Sequence, residues 1–200
     1  AILASLAFHT RVGAADVHRE GITSVSAADV ASARAMNAVV KLLAICERLT
    51  DAATGVEGVS ARVHPALVPL DHPLAAVHGA NNAVFVEAEA AGSLMFYGAG
   101  AGGIQTASAV LGDLVSAARR HVAGGPGVAE STHANMPVLP ISSVTTRYQI
   151  TLSVIDEPGV LATIATLFSD HGVSVEAVSQ SVRDGADAPT ATLVIVTHEA

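Results

Sequence analysis

The run Gly98-Ala99-Gly100-Ala101-Gly102-Gly103 is the first place to look for chemistry, because glycine lets a ligand approach the backbone closely. It satisfies the spacing G-x-G-x-x-G. A dinucleotide-binding use of that spacing requires a parallel strand after the helix and an acidic residue about 20 positions on to hold a ribose hydroxyl. Here residues 121 to 123 are His-Val-Ala, a Gly/Pro-rich stretch follows, and the segments before the run read as antiparallel strands. The residues alone therefore do not support a Rossmann fingerprint. Two readings stay open: the amides of the helix starting near Thr106 favour an anion or a polar ligand edge, or the glycines only turn a strand into a helix.

The other reactive residue types are less organised. Among nine histidines, His64, His72 and His78 lie near Pro65, Pro69 and Pro73, none paired at the i, i+4 spacing of a helical zinc site. They read as loop imidazoles, and no metal is expected. Cys46 lies inside an apolar strand, where a thiol is inert packing, and no G-x-S-x-G occurs. Lys41 is the single lysine; in Val39-Val40-Lys41-Leu42-Leu43 it reads as a solvated strand residue without a partner carboxylate, so a lysine acting in proton transfer is not in this chain. Glu20, after Val17-His18 at the end of a short helix, reads as surface.

These residues must be positioned by apolar elements. The chain has 200 residues, 50% of them hydrophobic, with mean hydropathy +0.49 and only 3% aromatic. That excludes a disordered chain and an aromatic stacking platform. The net charge of −8 gives no support to a nucleic-acid or anionic-membrane surface. One cysteine excludes a disulfide framework, and no apolar run approaches the roughly 18 residues of a membrane span.

Ala1 to Phe8 reads as the last turns of a buried helix, with Ile2, Leu3, Leu6 and Ala7 on one face. Ser26 to Met36 is a short helix with Ser26 as N-cap and Asp29 completing a capping box. Residues 38 to 49, 59 to 68, 83 to 90 and 93 to 97 read as antiparallel strands, Val84, Val86 and Ala88 sharing one face. Thr106 to Val122 is the clearest helix, its apolar stripe calling for a sheet to cover. Residues 123 to 145 have no period and read as a linker. A second unit then runs strand, helix, strand, strand: Tyr148 to Val154, the turn Asp156-Glu157-Pro158-Gly159, a helix ending before Gly172, Val173 to Val182, the turn-rich Arg183 to Pro189, and Thr190 to Thr197. A ferredoxin-like unit needs one more helix and strand, so this one reads as cut short.

With those segments in place, the chain resembles homoserine dehydrogenases of the actinobacterial type that carry a regulatory ACT domain. The resemblance rests on ILASLAFHTRV at 2 to 12, DVHREGI at 16 to 22, KLLAICERL at 41 to 49, the run from Val59 to Gly92, MFYGAGAGGIQTASAVLGDLVSAAR at 95 to 119, and RYQITLSVIDEPGVLATIATLF at 147 to 168. It implies an α/β (α+β) fold with a mostly antiparallel sheet. Residues 1–122 would be the C-terminal portion of the substrate-binding and dimerisation domain, 123–145 a linker, and 146–200 a truncated ferredoxin-like ACT domain.

The implied activity is NAD(P)-dependent interconversion of L-homoserine and L-aspartate 4-semialdehyde, in a cytoplasmic homo-oligomer with threonine as effector. The resemblance places the Rossmann domain and the catalytic lysine upstream of Ala1, so no catalytic residue is expected in the chain, which by itself would be inactive. Gly102, with Gly98 and Gly100 shaping the same loop, corresponds to the glycines that approach NADP or NAD. Asp156, Pro158 and Gly159 correspond to the turn that presents backbone groups to the amino-acid effector, although such a turn also serves simply to pack the domain. One departure is Gln105, where the family commonly has proline, a residue that pre-sets the first helical turn. The rival reading is a non-catalytic amino-acid-binding regulatory or oligomerisation module.

Overall fold

The computed structural model describes residues 1–125, 129–183 and 190–200. Most of the expected turn between Arg183 and Pro189, and Pro126 and Gly127 of the linker stretch, lie outside the described residues.

The chain opens on α1 (Ile2–Phe8), followed by a single 3-10 turn at Ala14–Asp16 and the two-residue strand β1 (His18–Arg19). The sequence suggested a short helix running to His18; instead His18 and Arg19 pair in parallel with Arg62 and Val63, and the Glu20 amide donates to the Val63 carbonyl. Helix α2 (Ala27–Ala35) starts as the capping box requires, with the Asp29 amide donating to Ser26 Oγ and the Ser26 amide to Asp29 Oδ2. Strands β2 (Ala38–Thr50) and β3 (Glu57–Pro69) then form a long antiparallel hairpin in continuous register from Ala38↔Pro69 to Thr50↔Glu57.

The core of this unit is small. Ala4 and Val12 pack on Val59 and Ala61 of β3, with Phe8, Cys46, Met136 and Val138 at its margin. Small residues on α1 and β3 bring helix and strand close together, which is how a chain with few aromatic rings builds a core. Burial pushes the Cys46 thiol pKa up, in keeping with a packing role. Helix α1 is nevertheless not the buried helix its pattern suggested: Ile2 is 78% exposed and Leu6 68%, because only the side carrying Ala4 meets the sheet. Lys41 also departs from expectation. It is half-buried and its ammonium donates to the Val77 carbonyl, which ties β2 to the segment before the next hairpin.

That hairpin consists of β4 (Asn81–Ala88) and β5 (Gly92–Ala99), paired antiparallel from Asn81↔Ala99 to Ala88↔Gly92. Its alternation is as expected, and the structure decides which side is covered. Phe85 is half-buried with its ring edge-on to His72, whereas Val84 and Val86 are exposed. Helix α3 (Gly103–Ala123) follows directly. None of its residues is buried, so the stripe through Val110, Leu111 and Leu114 does not cover a sheet of this chain.

The stretch read as a linker does more than connect. The Val59 amide donates to the Pro137 carbonyl and the Leu139 amide to the Val59 carbonyl, both at 2.9 Å, so residues 137–139 run alongside β3. Thr10 Oγ1 donates to the Met136 carbonyl at 2.8 Å and Arg11 pairs with Glu130 at 2.6 Å. This strap closes the first unit's core from outside the hairpin.

The second unit contains β6 (Gln149–Ile155), α4 (Val160–Asp170), β7 (Val175–Arg183) and β8 (Thr190–Thr197), in the sheet order β6-β8-β7 with antiparallel pairs. Strand β8 is central, and Ala191, Leu193 and Ile195 on it are almost fully buried. Gly172 follows α4 with φ 71°, the left-handed conformation of a C-terminal glycine cap.

Candidate functional site

The glycine run sits at the junction of β5 and α3, where Gly98 and Ala99 still belong to the ladder opposite Asn82 and Asn81. The Gly100 amide then donates to the Ala80 carbonyl at 2.9 Å, turning the chain out of the hairpin. Gly102 is the N-cap of α3, with φ 133° and ψ 138°, a combination open to glycine and costly to other residues. The Thr106 amide donates to the Gly102 carbonyl, so the helix begins three residues earlier than its apolar period suggested.

Gly102 and Gly103 line an open groove of about 590 Å³ that continues along Thr106, Ala107, Val110 and Leu111. A ligand laid there would meet bare backbone at one end and an apolar helix face along its length. The unpaired amides of the first helical turn lie at the glycine end. Of the three glycines proposed from sequence, Gly102 alone is on the groove. Gly100 shapes the turn, and a Cβ at Gly98 would meet nothing within 4 Å.

Two side chains that sequence reasoning did not place at the site lie against this loop. The Asn82 carboxamide occupies the space a Cβ on Gly100 would need, its Nδ2 at 2.0 Å from that position. The Gln105 carboxamide does the same at Gly102, with Oε1 at 2.2 Å. Gln105 is the third helical residue, and its carboxamide lies against the N-cap glycine without a capping hydrogen bond. Its sequence signal was the departure from proline; Asn82 had no signal beyond its strand register with Gly98.

The histidines singled out from sequence have local duties. His64 Nδ1–H donates to the Pro65 carbonyl, and His72 Nδ1 accepts from the Leu74 amide. Among the described residues, no three His, Cys, Asp or Glu side chains form a group able to hold a metal ion. A second depression, of about 310 Å³ beside Phe8, His9, His133 and Met136, has Arg48 and Glu57 on its rim already paired at 2.7 Å.

In the second unit, Asp156 Oδ1 accepts from Gln180 Nε2 at 3.0 Å, which joins the turn after β6 to β7. Gly159 is the N-cap of α4 at φ 96°, and the Thr163 amide donates to its carbonyl. Asp156, Pro158 and Gly159 therefore form one turn at the head of α4, with Gln180 as a neighbour that sequence reasoning missed.

Comparison with known proteins bears on both units. Residues 1–115 match the family model for homoserine dehydrogenase and residues 148–200 the model for the ACT domain. A homoserine dehydrogenase from Mycobacterium bovis is 58% identical over 99% of this chain, and one from Corynebacterium glutamicum 54% over 100%. The chain spans 45% and 44% of those proteins, less than half their length. The crystal structure of a homoserine dehydrogenase from Thiobacillus denitrificans superposes with TM-score 0.86 at 34% identity, covering all of this chain and 44% of that one. A Staphylococcus aureus homoserine dehydrogenase at pH 7.5 gives 0.61 at 26% identity, again over the whole chain and 46% of its own. No helix among the described residues is long and apolar enough to cross a membrane.

Proposed function

Because the chain belongs to the homoserine dehydrogenase family and carries an ACT domain, we propose that it supplies the cofactor-facing loop and the regulatory part of a cytoplasmic enzyme interconverting L-homoserine and L-aspartate 4-semialdehyde. The observation that carries the reading is the groove at the head of α3, where Gly102 leaves bare backbone and the first helical amides open to a ligand. A dinucleotide, NADP or NAD, fits that chemistry: a flat polar ring edge can approach glycine backbone, and the apolar face of α3 can take a ring. Bound there, the nicotinamide would exchange hydride with the substrate carbinol carbon.

Within this chain, Gly102 and the first turn of α3 bind and orient, while Gly98 and Gly100 carry the chain out of β5. Lys41 is read as structural and not as a proton donor, a reading supported by the bond from its ammonium to the Val77 carbonyl. On this reading a lysine outside these 200 residues handles the proton. Asp156, Pro158 and Gly159 present the turn at the head of α4 to a small amino acid, threonine, whose carboxylate suits the free amides there. The exposed apolar faces of β4, β5 and α3 support a homo-oligomer.

Two titrations test this. Calorimetry of the full-length protein with NADP and, separately, with threonine should show both sites. Threonine binding without nucleotide binding would favour a purely regulatory module. The 200-residue chain by itself should oxidise no homoserine, and sedimentation should show more than one copy per particle.

A further inference from the structure

Resting on that reading, we propose that Asn82 and Gln105 are positioning residues for the nucleotide loop, each bracing one glycine from the side opposite the ligand. Gly100 and Gly102 have no side chains of their own to hold them, and the space where those side chains would stand is filled by the two carboxamides. The groove wall includes Gly102 but not Gln105, so Gln105 acts through Gly102. Asn82 acts likewise through Gly100, which is also held by the bond of its amide to the carbonyl of Ala80, the residue before β4. The bracing comes from two directions: Asn82 from the start of β4, Gln105 from the first turn of α3. A loop with glycines at four of six positions has high conformational entropy when free. Two side chains packed against it on the side away from the groove limit the shapes it can take and lower the cost of ordering it around a ligand.

This gives Gln105 a physical role in place of the proline that the family resemblance implies at this position. Proline stiffens the first helical turn through its ring, whereas Gln105 does so by packing its carboxamide against Gly102. The proposal therefore expects the two devices to be interchangeable.

The test uses the full-length protein with Asn82→Ala, Gln105→Ala and Gln105→Pro, read by calorimetric Kd for NADP, by KM for NADPH against kcat, and by amide exchange over Gly100–Thr106. Each alanine variant should raise Kd and KM about three- to tenfold, the cost of ordering a loop that has lost one packed side chain, with kcat within about twofold. Exchange in the loop should quicken by a similar factor. Gln105→Pro should restore both. Alanine variants with unchanged Kd and unchanged loop exchange would overturn the proposal, as would a Gln105→Pro variant no better than Gln105→Ala. If the unmutated protein binds neither NADP nor NAD, the functional reading fails, while the exchange comparison still decides whether the two amides brace the loop.

Discussion

Within the glycine run, two outwardly equivalent substitutions should behave differently, and Gly102→Ala against Gly98→Ala is the sharpest trial of the site. At Gly102 the backbone sits at φ 133° and ψ 138°, close to a region essentially restricted to glycine, where a side chain costs about 1–3 kcal/mol. A Cβ there would also stand 2.2 Å from Gln105 Oε1. That amide makes no hydrogen bond there among the described residues and can rotate away at little further cost. The backbone cost, about 1–3 kcal/mol, is relieved when the loop leaves its shape, so it falls on ligand affinity rather than on global stability. It corresponds to a loss of about fivefold to 150-fold in affinity for NADP. At Gly98 the same methyl meets no atom within 4 Å and the backbone is not left-handed, so affinity should change by less than about twofold. Calorimetric titration of the full-length variants with NADP measures both. Equal affinities in the two variants would refute the placement of the ligand against Gly102.

Three further outcomes follow from the packing. Gly58→Ala would drive a methyl to 2.6 Å from the Pro137 carbonyl oxygen, a backbone atom that cannot swing aside, and should undock the strap from β3; protection of the Val59 and Leu139 amides should fall by about tenfold or more in hydrogen exchange, while Gly21→Ala, with open space around it, leaves them unchanged. Arg62 is buried and pairs with Glu47 at 2.7 Å, but its Nε has no partner among the described residues; Glu47→Ala should cost about 2–3 kcal/mol in denaturant unfolding because it strands the guanidinium, whereas Arg62→Met, which removes the buried charge itself, should stay within about 1 kcal/mol. Hydrogen bonds from Ser143 and Thr54 lower the Asp51 pKa to about 2, below its ordinary 3.8, so the stability this carboxylate contributes is fully present above about pH 4 and is lost as pH falls through about 2; acid unfolding of Asp51→Asn should lack that component, and a titration midpoint near 4 by carboxyl NMR would contradict the geometry.

Much of the fold could be read directly from residue order. The Ser26–Asp29 capping box, the strands β2, β3 and β6, the left-handed cap at Gly172 and the strand-helix-strand-strand order of the second unit are local features, each enforced by a few adjacent residues and their backbone preferences. What failed were statements about which surfaces are covered. The apolar faces of α1 and α3 are genuine helical stripes, yet Leu6 and Leu114 remain exposed, because a stripe declares only that a partner is needed and does not supply one. Residues 123–145 had no period to read, so the docking of Pro137–Leu139 on Val59 could not be anticipated: backbone pairing across some 80 positions leaves no local trace.

The candidate site divides in the same way. Residue types and spacing determined that a glycine loop feeds a long helix, that no lysine besides Lys41 is present, and that Asp156, Pro158 and Gly159 form the turn heading α4, since each depends on neighbours in sequence. Tertiary structure decided which glycine faces the groove and which carboxamides stand behind the loop. It also committed Lys41 to a carbonyl 36 residues away. Those outcomes depend on the relative placement of whole elements, which is settled by packing and hydrogen bonding between distant segments rather than by the conformational preferences of any one of them.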